Sequence, residues 1–560
     1  MSRESEKILL LSDFNLGGFA GYLKNALSIL PVQAPYGQVI HTLLDENSEC
    51  WNESYSSAFV WTRPEGVIDS FRRALDFYPF EIETVLAEVD AYTEALSKLT
   101  QKVSVLMVPS WTLPASIGGY GMLEMKKGTG LTDLLCRMNL RLAENLEKIP
   151  GVYVLNAGRW MQMAGKEACN PKLWYMGKIA FGNEVFKSAV AEVKSTLAGI
   201  SGSARKIILV DLDDTLWGGI VGDEGWKNLR LGGHDPTGEA FADFQRVLKS
   251  LTRRGILLAI VSKNEEGVCW EAIQNHPEML LKKEDFSAWR INWEDKAQNI
   301  IEILEELNLG LQSAVFIDDN PIERERVRNA LPEVLVPEWP QDKMMYATTL
   351  SELTCFNSPQ ISEEDAQRLR MYREENQRKH LRQSVGTLDE WLRTLGIKVT
   401  VESLGEGNRQ RATQLLNKTN QMNLRTRRLT ESELADWERD ENHHLWLVRV
   451  QDKFGDSGLT GIISMEHQGK VGRLVDFLLS CRVMGRCVEE SLFYVAIEYA
   501  RSIHLEKIHI DYIQTDKNKP CLRFLQRSGF STVEEGGKFI FDVSKPYPLP
   551  ECVDLILTAG

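Results

Sequence analysis

Three short, mostly apolar runs in the middle of the chain each end in polar side chains. They occupy 206–210, 256–261 and 313–317. The first run leads into "DLDDTLWGG" at 211–219, the second into Ser262, and the third into Asp318 and Asp319. Stretches with helical spacing separate the runs, so the pattern predicts parallel strands joined by helices, which is an α/β fold. Because parallel strands end at one edge of their sheet, we expect these polar residues to lie there together.

The segment after the first run carries three carboxylates within four positions. Asp211, Asp213 and Asp214 would repel one another and lose hydration at the tip of a buried strand, so the site needs a positive counter-charge. A divalent cation supplies that charge through oxygen ligands and leaves room for phosphate oxygens. Asp211 and Asp213 are two residues apart, so both can face one pocket while Leu212 packs away from it. The alternative is a set of strand caps and loop ion pairs.

Composition excludes several classes of protein. A chain of 560 residues is too long for one core, and we expect about three or four domains. The formal net charge of −14 argues against a nucleic-acid-binding protein. None of the nine cysteines forms a C-x-x-C pair, which argues against a zinc site. The first apolar segment is too short for a signal peptide, and no run reaches the length of a membrane span. We therefore expect a soluble, cytoplasmic protein.

Strand and helix patterns predict four parts along the chain. The first part shows further strands at 56–62, 102–110 and 151–157 and ends in the linker "LAGISGSAR". A charged, helical segment at 361–396 is expected to pack one face on a neighbour as a linker. The expected parts are 1–198, 204–345, 346–396 as the helical linker, and 397–548.

The second part resembles the haloacid dehalogenase superfamily of phosphoryl-transfer enzymes. The resemblance covers all four motifs of that superfamily: "DLDDT", the serine of "SKN", a helical lysine and the "DD" pair. It implies that Asp211 is the nucleophile that forms an aspartyl-phosphate and that Asp213 is the general acid and base. The other implied roles are phosphate binding by Ser262, Asn264 and Thr215, charge compensation by Lys296, and binding of Mg²⁺ by Asp211, the Asp213 carbonyl, Asp318 and Asp319.

Several segments resemble the FkbH-like branch of this superfamily in particular. They are "LDDTLWGGIVGDEG", "FIDDNPIERERVR", "NKTNQMNLRTRR" (417–428), "FGDSGLTGII" (454–463) and "VDFLLSCRVMGRCVEE" (475–490). The branch implies removal of phosphate from 1,3-bisphosphoglycerate and loading of the glyceryl unit onto the thiol of an acyl carrier protein. Such thioesters feed polyketide or glycan biosynthesis.

The last part is similar to the GNAT acyltransferase fold. Arg482, Gly485 and Cys487 follow an R-x-x-G-x-[G/A] pattern between a strand and a helix. Backbone N–H groups at such a helix start bind the phosphates of pantetheine cofactors, so we expect a pantetheine-binding role here, with a structural helix cap as the alternative. A thioester also needs a sulfur nucleophile. Either the carrier's own thiol attacks, or Cys481 or Cys487 forms a thioester first, although each cysteine is more typical of a small apolar filler.

The basic segment 409–430 is positively charged, although the chain as a whole carries a net negative charge. It contains Arg409, Arg411, Lys418, Arg425, Arg427 and Arg428, and no acid. A solvated face, an internal ion-pair surface and a docking surface for an acidic carrier protein all remain open interpretations.

The first part is similar to SGNH-type esterases, because "LLSDFN" places Ser12 and Asp13 after a strand. Residues 1–200 contain a single histidine, His41, in no D-x-x-H context. We therefore expect the fold without esterase activity.

The expected architecture is thus a multidomain α/β protein. A Rossmann-like haloacid dehalogenase core is flanked by an SGNH-like α/β domain and a GNAT-like α+β domain. The expected function is Mg²⁺-dependent phosphoryl and acyl transfer, with an acyl carrier protein and a small phosphorylated substrate as partners. The alternatives are a simple phosphatase with regulatory outer domains and a scaffold that binds carrier proteins. Neither nucleic acid nor a membrane is an expected partner.

Overall fold

The structure is a computed structural model that divides into two compact units, Met1–Leu197 and Ala198–Gly560. It describes residues 6–27, 29–45, 48–114, 119–233, 235–358, 378, 381–382, 387–419, 421–515, 517–534 and 537–558. About half of the linker expected at 346–396, namely 359–377, 379–380 and 383–386, lies outside these ranges. The finer division of the chain that the sequence suggests stays a prediction. None of the described helices is both long enough and apolar enough to cross a membrane.

The first unit contains a five-stranded parallel sheet in the order β2-β1-β3-β4-β5. Its strands are β1 (Lys7–Ser12), β2 (Leu30–Gln33), β3 (Ser57–Trp61), β4 (Val105–Pro109) and β5 (Val152–Leu155). Its helices are α1 (Gly17–Ala26), α2 (Val39–Leu44), α3 (Pro64–Val67), α4 (Asp69–Leu75), α5 (Ile82–Ser97), α6 (Leu131–Leu146), α7 (Ala157–Ala164), α8 (Pro171–Gly177) and α9 (Asn183–Ile200), the last of which runs past the unit boundary. Leu9 and Leu11 of β1 belong to one apolar cluster and Ile8 and Leu10 to another, so both faces of the sheet are covered.

A four-stranded parallel sheet in the second unit has the order β8-β7-β6-β9. Its strands are β6 (Ile207–Val210), β7 (Leu257–Ser262), β8 (Ala288–Ile291) and β9 (Ala314–Ile317). Its helices are α10 (Val221–Glu224), α11 (Pro236–Arg253), α12 (Glu266–Asn275), α13 (Lys296–Glu306), α14 (Pro321–Ala330) and α15 (Tyr346–Glu352). The parallel arrangement expected of the three polar-ended runs is confirmed, and β8 is a strand that the sequence analysis did not predict.

The remainder of the second unit contains a nine-stranded, mixed sheet. Its strands are β10 (Ile397–Ser403), β11 (Met422–Asn423), β12 (His443–Asp452), β13 (Gly455–Gln468), β14 (Val471–Leu479), β15 (Lys507–Asp511), β16 (Ser531–Glu534), β17 (Lys538–Asp542) and β18 (Val553–Leu557). The associated helices are α16 (Leu388–Leu395), α17 (Glu406–Lys418), α18 (Glu431–Glu438), α19 (Val488–Ser502) and α20 (Lys519–Arg527). Apolar side chains of α16, α19 and α20 share one cluster with the sheet, and those of α17 and α18 share another.

The nine-stranded sheet opens beside the second half of β14. β14 pairs in parallel with β15 only along its first half, from Val471 to Leu474. Further along, β11 pairs with the end of β14, where Met422 lies opposite Leu479. The Ile513 N–H donates to the Leu424 carbonyl at 2.9 Å. Residues 422–424 therefore fill the space between the end of β14 and the chain that follows β15.

A buried ion pair ties Arg378, from the expected linker, to the nine-stranded sheet. Arg378 donates from Nε and an Nη atom to both oxygens of Asp452, at 2.6 and 2.7 Å. The two side chains are 3 % and 1 % exposed, and Arg486 lies 3.3 Å from the same carboxylate. The Arg378 carbonyl accepts the Trp391 indole N–H at 3.3 Å. Such a pair is costly to break because one charge would stay buried.

We expect Arg378→Met to destabilise the nine-stranded sheet by about 3 kcal/mol, because the buried Asp452 would lose the closer of its two arginine partners and keep Arg486 at 3.3 Å. Amide hydrogen exchange of β12 in increasing urea measures this free energy locally. Arg393→Met is the matched control, since its ion pair with Glu551 is 65 % and 83 % exposed and such pairs contribute less than about 1 kcal/mol. Equal effects of the two substitutions would contradict the assignment.

Candidate active site

The carboxyl ends of three parallel strands bring the predicted polar residues to one edge of the four-stranded sheet. Asp211 follows β6, Ser262 is the last residue of β7, and Asp318 follows β9. Lys296 is the first residue of α13, where the Asp295 side chain accepts the Ala297 N–H at 3.1 Å. Three strand ends and the start of one helix therefore position these four side chains.

Lys296 joins the ends of β6 and β9 through a buried ion-pair triad. Its Nζ lies 3.0 Å from Asp211 Oδ1 and 2.6 Å from Asp318 Oδ2. The Lys296 side chain is 4 % exposed and that of Asp318 is fully buried. Burial alone lowers the pKa of Lys296, but the charges of Asp211 and Asp318 outweigh it, so the net shift is upward. Burial also raises the pKa of Asp318, and the negative charge of Asp211 raises it further. The positive charge of Lys296 lowers the pKa of Asp318 and so offsets part of this shift.

Three carboxylates at this edge form a group suited to a divalent cation. Oxygen atoms of Asp211, Asp318 and Asp319 all lie within 4.8 Å of one another. Carboxylate oxygens are the ligands that Mg²⁺ prefers. Lys296, beside Asp211 and Asp318, and Lys343, 3.3 Å from Asp319, offset part of the negative charge of this group. The donor set therefore fits the Mg²⁺ expected from the sequence.

Asp213 points its carboxylate at three N–H donors. Its Oδ1 accepts from Trp217 Nε1 at 2.9 Å and from the Val221 N–H at 3.1 Å. Its Oδ2 accepts from Asn264 Nδ2 at 2.7 Å. Burial raises the pKa of Asp213, and these hydrogen bonds oppose the shift. The structure thus places Asn264 against Asp213, whereas the sequence assigned Asn264 to phosphate binding.

Thr215, which the sequence assigned to phosphate binding, is in contact with Asp319 in the structure. It is fully buried, and its Oγ1 accepts the Asp319 N–H at 3.1 Å and lies 3.4 Å from Asp319 Oδ1. The hydroxyl therefore holds Asp319 in place at the end of β9.

Two basic residues at the site were not found from the sequence. Arg324 Nη1 donates to the carbonyls of Asp318 and Asp319 at 2.8 and 2.7 Å. Lys343 Nζ donates to the Asp214 carbonyl at 2.7 Å and lies 3.3 Å from Asp319 Oδ2. Arg324 lies in the "DDNPIERERVR" segment, which offered a signal, but Lys343 follows a proline-rich loop that offers none.

Two hydrogen-bond donors of the predicted pantetheine site, the Gly485 N–H and the Arg482 side chain, bond to other groups of the chain. Gly485 N–H donates to Glu489 Oε1 at 2.7 Å, and Arg482 Nε donates to Ser480 Oγ at 3.2 Å. Glu489 is 2 % exposed, and a phosphate at the Gly485 N–H would have to displace its side-chain oxygen. Residues 422–424 also occupy the sheet edge next to this loop. The described residues therefore favour the structural helix cap, and pantetheine binding here stays a prediction without support.

The described cysteines near the two sites are poor nucleophiles. Burial raises the pKa of Cys487, and a contact with Cys552 adds to the shift. Burial also raises the pKa of Cys269, near the end of β7, with Asp213 and Asp211 adding to it. Thiols with raised pKa values stay protonated at neutral pH and attack weakly. This argues against Cys487 as a thioester former. The Cys481 side chain lies outside the described part of the chain.

The basic segment is engaged internally at two of its arginines. Arg427 pairs with the buried Asp476 at 2.6 Å, and Arg428 donates to the Leu416 carbonyl at 2.9 Å and to that of Asn417. Burial lowers the pKa of Arg425 and of Arg428. The internal ion-pair interpretation is thus favoured for Arg427, and carrier docking on this segment stays a prediction.

Ser12 and Asp13 lie at the end of β1 without a histidine base in the described contacts. Ser12 is 4 % exposed and its Oγ accepts the Phe14 N–H at 3.1 Å. Asp13 pairs with Arg63 at 2.9 Å. His41 is exposed on α2. The likeness of this unit to SGNH-type esterases stays a prediction.

Comparison with solved structures gives similar chains, among them one that contains a phosphatase domain. The N-terminal part of the protein BF1531 from Bacteroides fragilis, described as containing a phosphatase domain complexed with Mg, is 28 % identical. The match covers 63 % of this chain and 94 % of that chain, with a TM-score of 0.58. The magnesium in that structure agrees with the cofactor predicted from the sequence.

Smaller matches involve acetyltransferases. Mutant forms of the spermidine/spermine N-acetyltransferase SpeG from Vibrio cholerae are 16 % identical, with a match that covers 26 % of this chain and 94 % of that chain at a TM-score of 0.21. A GNAT-family acetyltransferase from Staphylococcus aureus is 10 % identical, covering 26 % and 99 % with a TM-score of 0.22. No protein-family model matches the chain, and comparison with curated proteins gives no match.

Burial raises the pKa of Glu489 from 4.5 to about 7, which gives the C-terminal part of the chain a testable pH dependence. Between these values the folded carboxyl keeps a proton that the unfolded chain has lost, so stability falls as the pH rises and levels off above the folded pKa. From pH 5 to pH 8, Glu489→Gln should gain on the order of 2 kcal/mol relative to the unsubstituted protein.

Urea-dependent amide exchange of α19, with both proteins compared at each pH, measures this difference. Glu490→Gln, one residue along the same helix and less buried, is the control. A difference between Glu489→Gln and the unsubstituted protein that stays constant with pH would contradict the expectation.

Proposed function

We propose that this chain is a Mg²⁺-dependent phosphatase of the haloacid dehalogenase type. The observation that carries the proposal is the buried triad of Lys296, Asp211 and Asp318, whose two carboxylates form a group of three with Asp319. Three carboxylates with a buried lysine among them suit a site that takes up both a divalent cation and a phosphate dianion. The likeness to the Mg-bound phosphatase domain of BF1531 supports it.

In the proposed reaction, an Asp211 oxygen attacks the phosphorus of the substrate. A bond forms between that oxygen and phosphorus, and the bond to the leaving oxygen breaks with its electron pair. Lys296 offsets the charge of Asp211 and of the phosphoryl oxygens during transfer. A Mg²⁺ ion held by Asp211, Asp318 and Asp319 would lower the repulsion between the carboxylates and the phosphate. Asp213 gives a proton to the leaving oxygen and later accepts one from the water that hydrolyses the aspartyl-phosphate.

The finer proposal concerns the product. We propose that the chain dephosphorylates 1,3-bisphosphoglycerate and loads glyceryl onto the thiol of an acyl carrier protein, because the segments quoted above resemble the FkbH-like branch. Loading forms a carbon–sulfur bond and breaks the bond from the C1 acyl carbon to its phosphate oxygen, and that phosphate leaves with the thiol proton. The phosphate ester at C3 is removed separately, by transfer to Asp211 and hydrolysis. The raised pKa values of Cys269 and Cys487 favour the carrier's own thiol as the sulfur nucleophile.

Mass spectrometry of the carrier separates the proposed activities. The full chain is incubated with 1,3-bisphosphoglycerate, Mg²⁺ and a holo carrier protein, and both released phosphate and carrier mass are followed. We expect phosphate release together with a carrier that gains one glyceryl unit. Phosphate release with an unchanged carrier would indicate a simple phosphatase. Binding of the carrier without either reaction would indicate a scaffold.

Asp211→Asn should reduce phosphate release at least about 1,000-fold, because an amide does not serve as the phosphoryl acceptor. Asp223→Asn is the matched control, since Asp223 is an exposed acid on α10 close in sequence. Release of phosphate from a small phosphate ester is measured for both variants after circular dichroism has shown that each is folded. Activity of Asp211→Asn within a few-fold of the control would contradict the nucleophile assignment.

A further inference from the structure

Asp213 is fixed by donors that are themselves held in place. Trp217 is fully buried and packs in an apolar cluster with Leu212 and Leu216, on either side of Asp213 in sequence. Asn264 is 5 % exposed, and its Oδ1 accepts the Glu265 N–H at 3.0 Å. That contact orients the amide so that Nδ2 faces Asp213. The carboxylate is therefore held at both oxygens by rigid neutral groups.

The described contacts of both donors lead to Asp213. The Asn264 side chain donates one N–H to Asp213, and its oxygen accepts the Glu265 N–H. Among the described residues, the group of carboxylates that could hold a metal contains Asp211, Asp318 and Asp319 but not Asp213. The indole N–H of Trp217 is committed to Asp213 as well. What the two donors share is control of where the Asp213 carboxyl lies.

We infer that Trp217 and Asn264 are positioning residues that hold Asp213 for proton transfer to the leaving oxygen of a phosphate ester. The inference rests on the proposed phosphatase function and names two residues that act through Asp213. A general acid is effective only within hydrogen-bond reach of the atom that it protonates. Small displacements of such a group reduce the rate strongly.

The chemistry of the leaving group makes the inference testable. When an alkyl phosphate transfers its phosphoryl group to Asp211, the phosphorus–oxygen bond breaks and the departing alkoxide takes the proton of Asp213. When an acyl phosphate reacts, the departing group is a carboxylate, which is stable as an anion and needs no proton. A misplaced Asp213 therefore slows the ester far more than the acyl phosphate.

The experiment compares kcat/KM for glycerol 3-phosphate and acetyl phosphate in the full chain with Mg²⁺. We expect Asn264→Ala and Trp217→Phe each to lower the ratio of the ester to the acyl phosphate at least about 10-fold. Asp213→Asn should lower it further in the same direction. Trp226→Phe is the matched control, because its indole N–H donates to Glu271 at the surface, and it should leave the ratio unchanged.

Each outcome decides between the inference and its competitors. Equal losses on both substrates, as a phosphate-binding or purely structural role of Asn264 requires, would overturn the inference. An unchanged ratio in folded Asn264→Ala would overturn it too, whether or not Trp217→Phe folds. If the unsubstituted protein turns over neither substrate, the proposed function itself fails, and that result is distinct because it precedes any variant.

Discussion

The ion-pair triad of Lys296 with Asp211 and Asp318 is the interaction on which the phosphatase site depends. It joins the first residue after β6, the first residue after β9 and the first residue of α13. A lysine so deeply buried is stable only beside negative charge, and two carboxylates so close together are stable only beside positive charge. Each partner thus compensates the other, and the strand ends stay fixed relative to one another.

Around this triad, hydrogen bonds within the chain set the positions of the remaining carboxylates. Thr215 and Lys343 hold Asp319, and Arg324 holds the carbonyls of the Asp318–Asp319 pair. A site that binds a cation and a phosphate needs its oxygen ligands in place beforehand, because reorganisation would consume binding energy. The contacts of Thr215, Lys343 and Arg324 hold the carboxylates in place in this way.

The sequence predicted the strands and the strand-end residues because both depend on local patterns. Apolar runs followed by Asp211, Ser262 and Asp318 indicate parallel strands that deliver polar groups to one edge, and the structure has that arrangement. The roles of Asn264 and Thr215 could not be read in this way. Whether a polar side chain near a strand end faces a ligand or a neighbouring carboxylate depends on contacts such as that between Asn264 and Asp213, which are 51 residues apart. Lys343 was missed for the same reason, since its partner Asp319 is 24 residues away.

The C-terminal part shows how a local motif can agree with a sequence pattern and still differ in use. Arg482, Gly485 and Cys487 do precede a helix, and Cys487 adopts a left-handed φ of 60° at its start. The N–H of Gly485 nevertheless meets Glu489, and residues 422–424 complete the sheet beside it. A backbone donor already paired with a buried carboxylate gains little from a phosphate, because binding would leave that carboxylate without its partner. Burial also raises the pKa of the Cys269 and Cys487 thiols, which makes each of them harder to ionise as a nucleophile.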